Sequence, residues 1–185
     1  MTARTIIKSA IGIGAALALT AGAAFAQDTT LRLAHYGSAS DSVTAAAEKF
    51  AELVAEKTGG SVAIEVFGNG ELGNSPTMLE GARLGTIDIV TVGNPYFTSA
   101  LPQLNITDLP FLFKDDPHAF ATFDGEVGDE LLASMNGAGL QGLAFWELGF
   151  RNLTNSERAV SGPDDVKGLK LRTTPNPAHV LAFET

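Results

Sequence analysis

The residues with the clearest chemical potential are two arginines, Arg151 and Arg172. Each falls in a short run that reads as a strand, 150–154 and 169–172, and a turn at Ser161, Gly162 and Pro163 separates them. An acidic residue at helical spacing would signal a solvated ion pair. Arg172 is instead followed by Thr173, Thr174, Pro175, Asn176 and Pro177, none of them charged. A guanidinium is a planar fork of donors that grips both oxygens of a carboxylate at once, which a lysine ammonium cannot do. Carboxylate binding is the chemistry this pair could supply. The competing reading is that both are solvated surface residues, as most arginines are.

The elements that must position them begin after an export segment. Residues 1–26 combine basic Arg4 and Lys8, an apolar run over 11–24 and the A-x-A site Ala24-Phe25-Ala26, the pattern of a cleavable signal peptide. The apolar run is shorter than the roughly 20 residues a bilayer span needs, and no basic stop-transfer cluster follows it. From there, alternating Leu31-Arg32-Leu33-Ala34-His35-Tyr36 predicts a first strand. Ala46, Ala47, Phe50 and Val54 predict a helix that Gly59-Gly60 ends, and 61–67 predicts a second strand. This order implies a right-handed crossover and an α/β fold with a mostly parallel sheet.

Gly68, Gly70 and Gly73 form a turn; their spacing fits neither the dinucleotide fingerprint nor a phosphate loop, so no cofactor is expected. Ser75-Pro76 reads as a cap and first helical residue, and 87–92 as a third strand. Ligands of open parallel sheets gather beyond the carboxyl ends of the strands, which nominates Tyr36, Asn94 and, at a helix start on the same edge, Ser75. The proline- and aromatic-rich connection 95–115 should pack. Asp116-Pro117 opens a helix with Phe120 and Phe123 inward. Gly125 separates it from another carrying Val127, Leu131 and Met135, and 140–146 is an apolar strand. Trp146 is expected to pack, with ligand stacking as the alternative. Asn176-Pro177 starts a last helix, which stops after about two turns in the manner of a truncated chain.

The run Gly149-Phe150-Arg151-Asn152-Leu153-Thr154-Asn155, then Gly168-Leu169-Lys170-Leu171-Arg172 and Pro175-Asn176-Pro177, resembles the solute-binding proteins of tripartite ATP-independent periplasmic (TRAP) transporters, the DctP-like family. Gly70-Glu71-Leu72-Gly73 leading to Gly85-Thr86-Ile87-Asp88 resembles that family's first lobe. The resemblance implies a periplasmic-binding-protein-like, two-lobe α/β architecture, with 27–148 as lobe 1 and 149–185 as the start of lobe 2. It also implies that Arg172 pairs with a solute carboxylate, assisted by Arg151, with Asn176 a further contact. The partners it implies are a small organic acid, such as a C4-dicarboxylate, and the small and large membrane subunits of the transporter.

Composition narrows the alternatives. The chain has 12 basic and 21 acidic residues; removing Arg4 and Lys8 leaves 10 against 21, formally −11, which disfavours nucleic acid and anionic lipid. Without cysteine there are no disulfides, thiolate metal sites or cysteine nucleophiles. His35, His118 and His179 are spaced like surface or cap-adjacent residues rather than metal ligands. A secreted hydrolase would need a nucleophile motif, and no Gly-x-Ser-x-Gly is present. A periplasmic sensor or interaction module remains compatible with the composition.

Overall fold

β1 (Thr29–His35) is the middle strand of a three-stranded parallel sheet ordered β2-β1-β3 in a computed structural model that describes residues 29–184. The expected export segment, 1–26, lies outside the described residues. Successive strand side chains point to opposite faces, and Leu33, Ala34 and His35 are all fully buried. Both faces of β1 are therefore covered, as for a central parallel strand. β2 (Val62–Phe67) pairs with it from Thr29↔Val62 to Ala34↔Phe67. β3 (Ile89–Thr91) pairs from Leu33↔Ile89 to His35↔Thr91. β3 is shorter than the predicted 87–92 for a local reason: the Asp88 carboxylate, rather than a backbone carbonyl, accepts the Arg32 N–H at 2.7 Å. Ile87 meanwhile turns inward onto Ala34 and Met78.

The first crossover helix, α1 (Ser42–Lys57), packs on β1 and β2 through buried Val43 and Ala47; Ala46, predicted on the same face, is exposed. It ends at Thr58, and Gly59 and Gly60 follow at φ 61° and 84°, the left-handed region that glycine enters without strain. The second helix, α2 (Ser75–Arg83), packs on β1 and β3 with Met78 and Leu79 buried. Its cap is Asn74, whose Oδ1 accepts the Thr77 N–H at 3.0 Å, so Ser75 is the first helical residue rather than the cap.

The connection after β3 packs as predicted in its first part: two short 3-10 turns, Asn94–Tyr96 and Pro102–Asp108, bury Phe97, Leu101 and Leu104 against Leu79 and Met135. Its far end departs from that prediction, with Leu109, Phe111 and Leu112 exposed. α3 (Asp116–Phe123) is capped by Asp115, and Phe123 stacks at 4.7 Å from Phe145 and 5.3 Å from Phe113. Phe120, predicted inward, is exposed: the inward stripe runs through Ala119 and Phe123, four apart, and Phe120 sits one position off it. In α4 (Glu126–Ser134) Leu131 and Leu132 reach the core, whereas Val127, also predicted inward, is exposed. A Cβ on Gly128 would lie 1.8 Å from the Phe123 carbonyl oxygen, so only glycine lets α4 pass so close to the end of α3.

The three predicted strands of the later chain are not strands. Residues 140–146, 150–154 and 169–172 have no strand partner among the described residues. Apolar alternation marks a segment able to join a sheet, but a ladder also needs a neighbour to bond. The last helix, α5 (Pro177–Glu184), forms as predicted.

Candidate functional site

Beyond the carboxyl end of β1 lies a cleft of about 740 Å³, a size suited to a small molecule. Two stretches of sequence line it. The earlier one supplies Tyr36 just after β1, Gly70 and Gly73 of the β2–α2 turn, Asn74, Ser75 and Pro76 at the start of α2, and Tyr96. The later one supplies Arg172, Thr173, Thr174, Pro175 and Val180.

Local sequence fixes both walls. Gly73 sits at φ 115°, and a Cβ there would lie 2.8 Å from Thr77 Cγ2, so glycine is needed for the turn to close onto α2. Asn74 Oδ1 accepts from both Thr77 N and Thr77 Oγ1, which holds the first turn of α2 at the cleft. The partly unpaired amides of a helix start carry positive potential, and here that end borders the cavity. Between the two arginines, Asp165 Oδ2 accepts the N–H groups of Ser161 at 2.8 Å and Gly162 at 3.1 Å. These donors hold the Asp165 carboxyl below its ordinary value and fix the predicted turn, now a 3-10 turn over Pro163–Val166.

The arginines divide into two sets. Arg32 pairs with Asp88, Arg83 with Glu80 and the Ala138 carbonyl, and Arg158 with the carbonyls of Asp165 and Lys167. Among the described residues, Arg151 and Arg172 make no hydrogen bond or ion pair. Burial pushes the Tyr36 phenol above its ordinary value, against the opposing pull of Arg151, and Asp41 and Tyr96 add to the rise. Tyr36 therefore keeps its proton at neutral pH and offers a donor. Burial also raises the Asp108 carboxyl, against a hydrogen bond from Asn176 and the charges of His179 and Arg151. Arg151 thus lies within electrostatic reach of both groups.

Of the residues nominated from sequence, Arg172, Tyr36 and Ser75 share the cleft wall. Arg151 is exposed and outside that wall. Asn94 is also outside it, donating to Thr107 Oγ1 at 3.2 Å. Asn176 is fully buried, with Nδ2 on Asp108 Oδ2 and Oδ1 on the Ala178 N–H, both at 2.8 Å, so its amide is already spent within the protein. Trp146 packs edge-on against Phe50 of α1, at 6.3 Å and 70°.

The histidine reading holds for His179, part-buried in the first turn of α5, and needs a correction at His35. His35 is wholly buried because it shares the strand face of Leu33, and its Nδ1 accepts the Gly37 N–H at 3.2 Å. His179 lies between Asp108 and Thr174. Sequence reasoning missed Tyr96 and Asn74 in the cleft wall, and Asp108, which lies outside the wall and bonds Asn176 and His179. Tyr96 was findable, since it follows the third strand by the same carboxyl-end rule that nominated Asn94. Asp108 carried no local signal. None of the three histidines lines the cleft, and among the described residues no group of three or more His, Asp or Glu side chains could hold a metal ion. An unpaired guanidinium, a protonated phenol, a hydroxyl and a helix start around one cavity can bind an anion.

A parallel α/β sheet with a cleft at its strand ends is an arrangement in which open α/β folds bind small ligands. The chain belongs to the DctP family, bacterial extracellular solute-binding protein family 7, whose model matches residues 33–185. It is 44% identical over 155 residues to the 2,3-diketo-L-gulonate-binding periplasmic protein of Escherichia coli K12, covering 84% of this chain and 47% of that protein. The sugar acid binding protein of Advenella mimigardefordensis, solved with galactonate, superposes with a TM-score of 0.81 at 34% identity, over 84% of this chain and 50% of that one. A TRAP periplasmic solute-binding protein of Sulfurospirillum deleyianum, solved with succinate, gives 0.80 at 30% identity, over 85% and 51%. The fold is that of a partial two-lobe binding protein, and the chain spans about half the length of these relatives.

Proposed function

We propose that this chain captures a carboxylate-bearing solute, a C4-dicarboxylate or related organic acid, for a TRAP transporter. Arg172 pairs with the carboxylate, Tyr36 and Ser75 contribute hydrogen bonds, and Arg151 adds positive field from the cleft's edge. Export through 1–26, with cleavage near Ala26, delivers the protein to the periplasm. Residues 27–148 act as the first lobe and 149–185 begin the second. Closure around the solute is driven by charge-assisted hydrogen bonds made only in the shut form. The closed protein then docks on the small and large membrane subunits. No bond in the solute is made or broken.

The observation that carries this reading is the guanidinium of Arg172 in the cleft wall with no protein partner among the described residues, while Arg32, Arg83 and Arg158 are each engaged. The relatives that bind diketogulonate, galactonate and succinate support the class of ligand. The test is a thermal-shift titration of the protein as encoded with succinate, D-galactonate and D-glucuronate. A binder gains stability as RT ln(1 + [L]/Kd). Stabilisation by at least one acid, abolished in Arg172→Ala, is expected. No stabilisation by any of a broad panel of organic acids would overturn the reading.

A further inference from the structure

α5 is held to the rest of the molecule in an unusual way. None of its residues is buried, so apolar packing contributes little to keeping it in place. Its attachment is polar and converges on Asp108, at the end of the second 3-10 turn. Asn176, fully buried, donates through Nδ2 to Asp108 Oδ2 at 2.8 Å across 68 residues of sequence. His179 Nε2 lies 2.7 Å from the Asp108 carbonyl oxygen. A carbonyl only accepts, so Nε2 carries the proton, and in the neutral ring Nδ1 accepts the Thr174 hydroxyl hydrogen. Asn176 Oδ1 caps the helix through the Ala178 N–H. Four hydrogen bonds thus join Thr174, Asn176, Ala178 and His179 to one another and to Asp108, and linked bonds of this kind in a part-buried setting restrict the geometry.

The cluster lies next to the cleft in sequence and in space. Thr174, which bonds His179, lines the cavity with Arg172, as does Val180 of α5. The segment leaving Arg172 is therefore tied down two and four residues later. We propose that Asp108, Asn176 and His179 form a positioning clasp that sets where the Arg172 guanidinium stands over the cleft, and so sets solute affinity without touching the solute. The proposal rests on the solute-binding reading for its effect on affinity, but not for its effect on geometry.

The two effects are measured separately in the protein as encoded. The described chain contains no cysteine, so spin labels placed through Glu71→Cys and Lys170→Cys, both exposed sites outside the cleft wall, report the distance across it. Asp108→Ala is expected to broaden the ligand-free distance distribution and to weaken binding of the best of succinate, D-galactonate and D-glucuronate by roughly tenfold or more, about 1.4 kcal/mol. Asp108→Asn, whose amide oxygen still accepts from Asn176, should restore both to within about threefold of wild type. If Asp108→Ala does not fold, His179→Ala cuts the other arm from the helix side and is read in the same way. An unchanged distribution overturns the clasp, and a broadened one with unchanged affinity overturns its role in positioning. If none of the acids binds the wild type, the solute reading fails for those ligands, and the clasp stands or falls on the distance distribution alone.

Discussion

At the scale of single residues, Arg172 and His35 make the sharpest statements. If Arg172 pairs with the solute carboxylate as proposed, its replacement by alanine should cost about 2 to 5 kcal/mol of affinity, read by titration calorimetry. Arg172→Lys should recover only part of this, because an ammonium keeps the charge but loses the fork. An unchanged dissociation constant in Arg172→Ala would remove Arg172 from the role, and one in Arg172→Lys would show that charge alone, without the fork, suffices. His35 concerns stability instead. Burial lowers it from 6.5, against the charges of Asp41, Glu48 and Glu71, and its Nε2 has no hydrogen-bond partner among the described residues. The folded state thus favours the neutral ring, so stability is complete above the ordinary value and declines as pH falls below it. His35→Asn keeps an acceptor for the Gly37 N–H and does not titrate. Its urea midpoint should change less than that of wild type between about pH 7 and pH 5, and parallel profiles would rule His35 out as the source. The burial of His35, read from sequence as a surface or cap-adjacent position, had a signal that went unused, since strand alternation places it with Leu31 and Leu33. The pairing of Asn176 with Asp108 was not, because 68 residues separate the two and no periodicity links them.

At the scale of elements, residues 29–90 were readable because their signals are local. The α1 stripe, the Gly59-Gly60 stop and the alternation of β2 each act within a few residues, and these elements sit within two residues of their predicted bounds. The cap of α2 moved by one residue, from Ser75 to Asn74, because both types cap well and the adjacent proline suits either of the first two helical positions. That shift makes a testable difference. Asn74→Ala should cost about 1 kcal/mol in chemical denaturation, while Ser75→Ala, with no cap bond to lose, should cost measurably less. Equal losses would return the cap to Ser75. The strands expected over 140–146, 150–154 and 169–172 failed for the opposite reason: strand identity is a property of a pair, and the sequence of one member does not contain the other.

At the scale of the whole molecule, charge raises a conflict that the cleft must resolve. The chain carries a formal −9, or −11 once residues 1–26 are set aside, and its proposed ligand is also negative. Over distances beyond the Debye length, about 8 Å at physiological ionic strength, the net charge acts on an approaching anion only through a screened field. Inside that length the local sources dominate, and these are Arg172 in the wall, Arg151 within electrostatic reach of Tyr36, and the start of α2. Repulsion should therefore limit encounter at low salt, while the contact pair inside the cleft, shielded from ions once closed, is screened much less. For a dianion such as succinate, or whichever acid of the panel binds, stopped-flow association should speed up between about 10 and 150 mM salt, with dissociation changing less. Arg151→Ala should slow association more than it speeds dissociation, because its guanidinium lies outside the cavity wall and acts through its field. Association that falls as salt is added would mean that the two arginines, rather than the acidic surface, govern the approach of the solute from long range.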